Sequence, residues 1–147
     1  MPERAMSCVL LAERHLGLAE GVRGLLETAF GAVVMVADEA SLLEAVGRLR
    51  PEVAVVDASL ARDSNLHWLR ALKDSCPGIH VIILSVHSEP SVRRATLEAG
   101  ADAFVVKSAI VTDLLLAVDR LRGEAEAAAT GSPVARAPAE DGSKERE

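Results

Sequence analysis

Short apolar runs alternate with amphipathic segments along most of this chain. Five runs are rich in Val, Ile, Leu and Ala without alternating polar positions, a pattern typical of strands buried on both faces of a parallel sheet. These predicted strands cover residues 7–12, 32–37, 53–56, 79–84 and 103–106. Apolar residues at helical spacing follow each strand and predict helices at residues 17–29, 42–49 (capped by Asp38 or Ser41), 65–75, 90–100 and 110–122.

The order of these elements predicts an α/β fold of five strand–helix units. Right-handed crossovers and short loops favour a doubly wound, five-stranded parallel sheet of the flavodoxin-like type. The expected strand order is 2-1-3-4-5, which places the first and third strands side by side at the switch point. The chain has 147 residues, of which 50% are hydrophobic, and this suffices for one domain with a full core. We place that domain at residues 1–122 and interpret residues 123–147, rich in Ala, Glu, Gly, Pro and Ser, as a disordered tail or linker.

The composition and net charge of the chain disfavour some classes of function. The net charge of −6 and the aromatic content of 2% do not favour direct nucleic-acid binding, which uses basic patches and stacking rings. No apolar run approaches the length of about 18 residues that a membrane span needs. The two cysteines, Cys8 and Cys76, form neither a disulfide framework nor a metal-binding motif. We therefore expect a cytoplasmic protein with reduced thiols.

Four of the predicted strands are followed by a residue that could take part in phosphoryl chemistry. Glu13, Asp57, Ser85 and Lys107 come directly after the first, third, fourth and fifth strands. Ligands collect at the carboxyl edge of such a sheet, where these side chains would meet. A carboxylate acceptor, a cation and a hydroxyl suit a phosphoryl group, and Asp57 is the candidate acceptor. Taken alone, Asp57 could equally cap the following loop, and Lys107 could be a solvated charge.

The chain resembles the receiver domain of two-component response regulators over about residues 6–122. Its opening, Val9-Leu10-Leu11-Ala12-Glu13-Arg14-His15, and the later Gly21-Val22-Arg23-Gly24-Leu25-Leu26 are most similar to receivers of the helix-turn-helix regulators of the LuxR and NarL type. The spacing from the first acid to Asp57, Ser85 and Lys107 fits this family. The resemblance implies the CheY-like fold.

The resemblance also implies roles for the site residues. Asp57 would be phosphorylated by a histidine kinase, a phosphotransfer protein or a small phosphodonor. Ser85 would contact the phosphoryl group, Lys107 would pair with its oxygens, and Phe104 stands where the family has an aromatic switch residue. These roles agree with the chemistry, because phosphoryl transfer depends mainly on positioning and on cations that neutralise developing charge.

A Mg²⁺ site is implied by the resemblance but is altered in this chain. Its ligands would be Glu13, Asp57 and the backbone carbonyl of Ser59. The family has two adjacent acids in the first loop, whereas this chain has Glu13 and Arg14. Unit charges about 4 Å apart interact by roughly 4 kcal/mol at an effective dielectric constant of 20, so Arg14 would repel a divalent ion. Arg14 could instead pair with Asp57, bind phosphoryl oxygens, or form a surface ion pair with Glu13.

Two functions are therefore open. The first is a non-enzymatic response regulator receiver that accepts a phosphoryl group on Asp57 and switches a protein-binding face formed by the fourth helix, fifth strand and fifth helix. The second is a pseudo-receiver that acts as a constitutive interaction module without phosphorylation. The expected partners are the phosphodonor protein, a downstream protein and a second copy of the chain. A cofactor enzyme is not favoured, since the sequence has no flavin phosphate loop and no Walker lysine loop.

Overall fold

A single parallel sheet organises the computed structural model, which describes residues 7–60 and 66–130. Its strands, β1 to β5 in chain order, are Cys8–Ala12, Ala32–Val36, Val53–Asp57, His80–Ser85 and Ala103–Val106. The helices, α1 to α5, are Leu16–Leu26, Glu39–Leu49, His67–Ser75, Pro90–Glu98 and Ile110–Thr130. The strands lie in the order β2-β1-β3-β4-β5. The predicted doubly wound fold and the predicted strand order are both confirmed.

The central strands are apolar at every position because both faces of the sheet are covered. Alternate residues of β1, such as Leu10, pack into one core with α2 and α3. The intervening residues, such as Leu11, pack into a second core with α1 and α5. Both leucines are fully buried. Two-sided burial is why these runs carry no alternating polar positions.

The last helix continues beyond its predicted end. A stop at residue 122 was expected because the composition changes there, but α5 runs to Thr130. A glycine inside a helix costs only about 1 kcal/mol relative to alanine, and the next residues are mostly Ala and Glu, which are strong helix formers. The predicted end of this helix is therefore wrong. Residues 131–147 lie outside the described residues, and the domain boundary at 122 stays a prediction.

Two further observations concern the helices. Among the described residues, none of the helices is both long enough and apolar enough to cross a bilayer. Helix α2 begins as expected at Asp38, whose carboxylate accepts a hydrogen bond from the Ser41 backbone N–H at 2.8 Å. It ends at Arg50, which has a left-handed conformation with φ of 49°.

Arg122 fastens α5 to the amino-terminal edge of the sheet, opposite the candidate site. Its guanidinium is 6% exposed and makes two hydrogen bonds of 3.1 and 3.0 Å to the Glu52 carboxylate. It also donates to the Ala29 carbonyl at 2.6 Å and to the Ser7 hydroxyl at 3.0 Å. The guanidinium carbon lies 4.1 Å from the centre of the Phe30 ring. The Arg122 side chain thus connects α5 to three other segments of the chain, which contain Ser7, Ala29 with Phe30, and Glu52.

Candidate functional site

The residues at the carboxyl ends of the strands come together as predicted. Asp57 is the last residue of β3, Glu13 directly follows β1, and these two carboxylates are 1% and 4% exposed. Lys107, directly after β5, lies between them, with Nζ 3.0 Å from Asp57 Oδ1 and 3.3 Å from Glu13 Oε1. Ser85 ends β4 on the same edge and is also buried. The first and third strands are neighbours, which is why Glu13 and Asp57 share one ammonium group.

Ser59 supplies the hydrogen bonds that complete the surroundings of Asp57. Its backbone N–H donates to Asp57 Oδ1 at 3.0 Å, and its hydroxyl lies 3.0 Å from both carboxylate oxygens. Burial raises the pKa of Asp57, but the Ser59 amide and the Lys107 ammonium outweigh burial and hold this pKa below its ordinary value. Asp57 is therefore ionised at neutral pH.

Arg14 makes a contact that the sequence did not predict. Its Nη1 donates a hydrogen bond to the Ser59 carbonyl at 3.2 Å, and this carbonyl is the one that the family resemblance assigns to the metal. Within the described part of the chain, the cation paired with Asp57 is Lys107, not Arg14. The suggested surface ion pair between Glu13 and Arg14 is also wrong, because the Glu13 side chain is buried and faces Lys107.

Glu13 has a second neighbour, His15, which sequence reasoning missed. Glu13 Oε2 accepts from the His15 backbone N–H at 3.2 Å and lies 3.0 Å from His15 Nδ1. Among the residues that the structure describes, Glu13 Oε1 accepts no hydrogen bond, and the Lys107 ammonium lies 3.3 Å from it. Glu13, His15 and Asp57 each offer one atom that could bind a metal ion, and these three atoms lie within 4.8 Å of one another. The sequence signal for this contact was the separation of only two residues between Glu13 and His15.

A cleft of about 590 Å³ opens beside Asp57. Lys107 and Ser85 line it on the strand side, and Phe104, which is 7% exposed, forms part of its wall. The remaining wall is largely apolar and includes Leu66, Val86, Val92, Ala95 and Thr96. The Ser85 hydroxyl accepts a hydrogen bond from the His87 backbone N–H at 3.0 Å. The cleft gives a donor molecule access to the carboxylate.

Comparison with known proteins assigns this chain to a family. The family described as the response regulator receiver domain matches residues 9–119. The nitrate/nitrite response regulator protein NarP of Escherichia coli is 32% identical over 120 residues, which are 80% of this chain and 56% of NarP. The probable transcriptional regulatory protein TcrX of Mycobacterium tuberculosis is 32% identical over 108 residues, which are 74% of this chain and 46% of TcrX.

A solved structure agrees with the fold. The signal receiver domain of the response regulator NarL from Mycobacterium tuberculosis aligns with a TM-score of 0.69 and 26% identity. The alignment covers 80% of this chain and 98% of that domain. The chain spans about half the length of the curated relatives it matches.

Proposed function

Because the chain belongs to the response regulator receiver domain family, we propose that Asp57 accepts a phosphoryl group and that this modification switches a protein-binding face. The observation that supports the proposal is the buried, ionised Asp57 carboxylate, which lies 3.0 Å from the Lys107 ammonium and beside an open cleft. The chain would then be a signalling module and not an enzyme.

The proposed step is a displacement at phosphorus. A carboxylate oxygen of Asp57 forms the new bond to phosphorus, while the bond from phosphorus to the donor's leaving group breaks. Lys107 is placed to neutralise charge on the transferred oxygens. The Ser85 hydroxyl lies on the same edge and could donate its proton to a phosphoryl oxygen while it accepts from the His87 N–H.

Phe104 is the proposed switch residue. Its ring is buried in the wall of the cleft, and the Arg93 guanidinium carbon lies 5.9 Å from the ring centre on the α4 side. Arg93 also donates to the Phe104 carbonyl at 3.4 Å. Movement of Ser85 toward the phosphoryl group would open space beside the ring. A change in the ring's position would then reach the surface formed by α4, β5 and α5.

The proposed partners follow from this role. A cytoplasmic histidine kinase or phosphotransfer protein would donate the phosphoryl group. A downstream protein, or a second copy of this chain, would bind the switched face. By name, NarP is a nitrate/nitrite response regulator and TcrX a probable transcriptional regulatory protein. The chain spans about half of their length, so the output of the whole protein is also a proposal.

The residues present do not fit the Mg²⁺ that the family resemblance implies. Of its three expected ligands, the Ser59 carbonyl already accepts from Arg14, while Glu13 and Asp57 share the Lys107 ammonium. Two carboxylates and two cations give the site a formal charge of zero. Mg²⁺ favours one or two carboxylates with several waters and dehydrates reluctantly, so a neutral, already bonded site offers it little.

The test is the intact mass of the protein after incubation with acetyl phosphate, compared with that of Asp57→Asn. We expect a gain of about 80 Da, the mass of one phosphoryl group, which is absent from the variant. Reactions with and without Mg²⁺ should both be run. A gain that persists in Asp57→Asn would refute Asp57 as the acceptor.

The second candidate is the phosphorylation-independent pseudo-receiver, and the Arg14 contact favours it. The Arg14 guanidinium, hydrogen-bonded to the Ser59 carbonyl, places a permanent positive charge on the segment that follows Asp57. For a pseudo-receiver, neither the wild type nor Asp57→Asn would gain mass, even with a matched histidine kinase as the phosphoryl donor. That result would support the pseudo-receiver over the phosphorylated receiver.

A further inference from the structure

We infer that Arg14 takes the place of the divalent cation in this receiver, so that phosphorylation of Asp57 needs no metal. This inference rests on the proposed function and goes beyond it. It names a phosphoryl-binding residue and predicts independence from Mg²⁺.

The position of Arg14 is the first argument. Its Nη1 reaches 3.2 Å from the Ser59 carbonyl, across 45 residues of sequence, and so joins the loop after β1 to the loop after β3. Ser59 is also the residue whose amide and hydroxyl donate to Asp57. The guanidinium therefore contacts the residue that hydrogen-bonds to the acceptor, at the carbonyl where a metal ligand was expected.

The balance of charge is the second argument. A family-type site has two loop acids, the acceptor, the lysine and a divalent cation, which give a formal charge of zero. In this chain Glu13, Asp57, Lys107 and Arg14 also give zero. Phosphorylation replaces a carboxylate of charge −1 by a group of about −2, and both sites then reach about −1. One arginine thus reproduces the net charge of an acid together with its divalent cation.

The hydrogen-bonding capacity of arginine is the third argument. The guanidinium has five N–H donors in a planar fork, and among the described residues its one hydrogen bond goes to the Ser59 carbonyl. The remaining donors can bind two phosphoryl oxygens at once, a geometry that arginine adopts readily with phosphate. Arg14 is exposed, so its side chain can turn toward the cleft without disturbing the core.

The experiment measures the initial rate of Asp57 phosphorylation by acetyl phosphate, in excess Mg²⁺ and in EDTA. We expect the wild-type rates to agree within about twofold, because the charge that the metal would supply is already present. Arg14→Gln should lower the rate at least about tenfold under both conditions, since a phosphoryl-binding donor is lost. Arg14→Asp restores the paired acids and should be slow in EDTA but recover in Mg²⁺. Arg48→Gln, an equal loss of charge on the far end of α2, should match the wild type.

A second readout does not depend on phosphorylation. Binding of Mg²⁺ to the folded state raises its melting temperature. We expect Mg²⁺ to raise the Tm of Arg14→Asp and to leave that of the wild type unchanged. Arg14 is exposed, so both variants should keep the wild-type circular dichroism spectrum.

The outcomes separate this inference from the function on which it rests. Wild-type phosphorylation in Mg²⁺ but not in EDTA would overturn the role of Arg14 and leave Asp57 as the acceptor. Labelling of Arg14→Asp in Mg²⁺, with no labelling of the wild type under either condition, would overturn the proposed function and the inference together. Equal wild-type rates with a slow Arg14→Gln would support both.

Discussion

Replacing Lys107 by Met should reverse the pH dependence of this domain's free energy of unfolding. Acidification from neutral pH should stabilise the variant, whereas it does not stabilise the wild type. The change keeps most of the apolar stem of the side chain but removes the ammonium that Asp57 and Glu13 share. Both carboxylates are at least 96% buried, so neither can turn to water without rearrangement. The variant would therefore hold two like charges close together in the interior.

The size of the effect follows from the two distances. At 3.0 and 3.3 Å, each pair of unit charges attracts by about 5 kcal/mol at an effective dielectric constant of about 20. Much of this attraction offsets the cost of taking the three charges out of water. Breaking a buried pair by removing one partner costs a net 3–5 kcal/mol, roughly. We expect Lys107→Met to lose about that much stability at neutral pH, a large share of the 5–15 kcal/mol, roughly, of an ordinary domain.

The pH dependence gives the sharper test. In the wild type, the pKa of Asp57 is lowered on folding, so its contribution is present at neutral pH and is lost only as the pH falls through this lowered pKa. In Lys107→Met, burial remains and the ammonium is gone, so the pKa of Asp57 in the folded state rises. Folding then takes up a proton, and stability rises as the pH is lowered from neutrality.

The assay is urea denaturation followed by circular dichroism at about pH 7.5 and about pH 5.5. The double variant Asp57→Asn/Lys107→Met removes one negative charge together with the cation and should regain more than half of the lost stability. A single variant as stable as the wild type at the higher pH, or one that loses stability on acidification, would show that Lys107 does not neutralise this pair.

Two further changes test the frame that holds the site. Arg122→Met removes the paired bonds to Glu52 and the bond to the Ala29 carbonyl, and we expect a loss of about 3 kcal/mol, which lowers Tm by roughly 10 °C. A loss below about 0.5 kcal/mol by thermal denaturation would contradict this role. Arg50→Gly relieves a left-handed φ of 49° and should raise stability by about 0.5–1 kcal/mol, seen as a higher urea midpoint with an unchanged slope.

The fold could be predicted from the sequence because its signal is repeated. Every strand is a short run without polar alternation, and every run is followed by an amphipathic segment. The sheet order then follows from the general rules of parallel α/β folds. The end of α5 could not be found in this way, since the residues after 122 carry no marked apolar face, although Ala and Glu are strong helix formers.

The candidate site was predictable only in part. Strand-end positions converge by topology, so Asp57, Ser85 and Lys107 could be placed on one edge before any contact was known. The partners of Glu13 and Arg14 could not be assigned, because a loop decides which of two adjacent side chains turns inward. In this loop Glu13 turns into the protein and Arg14 turns outward to Ser59.

The resting site also explains why these neighbours matter for switching. Asp57 already accepts from three donors, the Ser59 amide, the Ser59 hydroxyl and the Lys107 ammonium. A phosphoryl group on one of its oxygens would displace at least one of these donors, and that donor must find a phosphoryl oxygen instead. Lys107 can move with the group because it is shared, while Glu13 keeps its bond from the His15 amide. A shared cation thus lets the buried charge change without leaving either carboxylate unpaired.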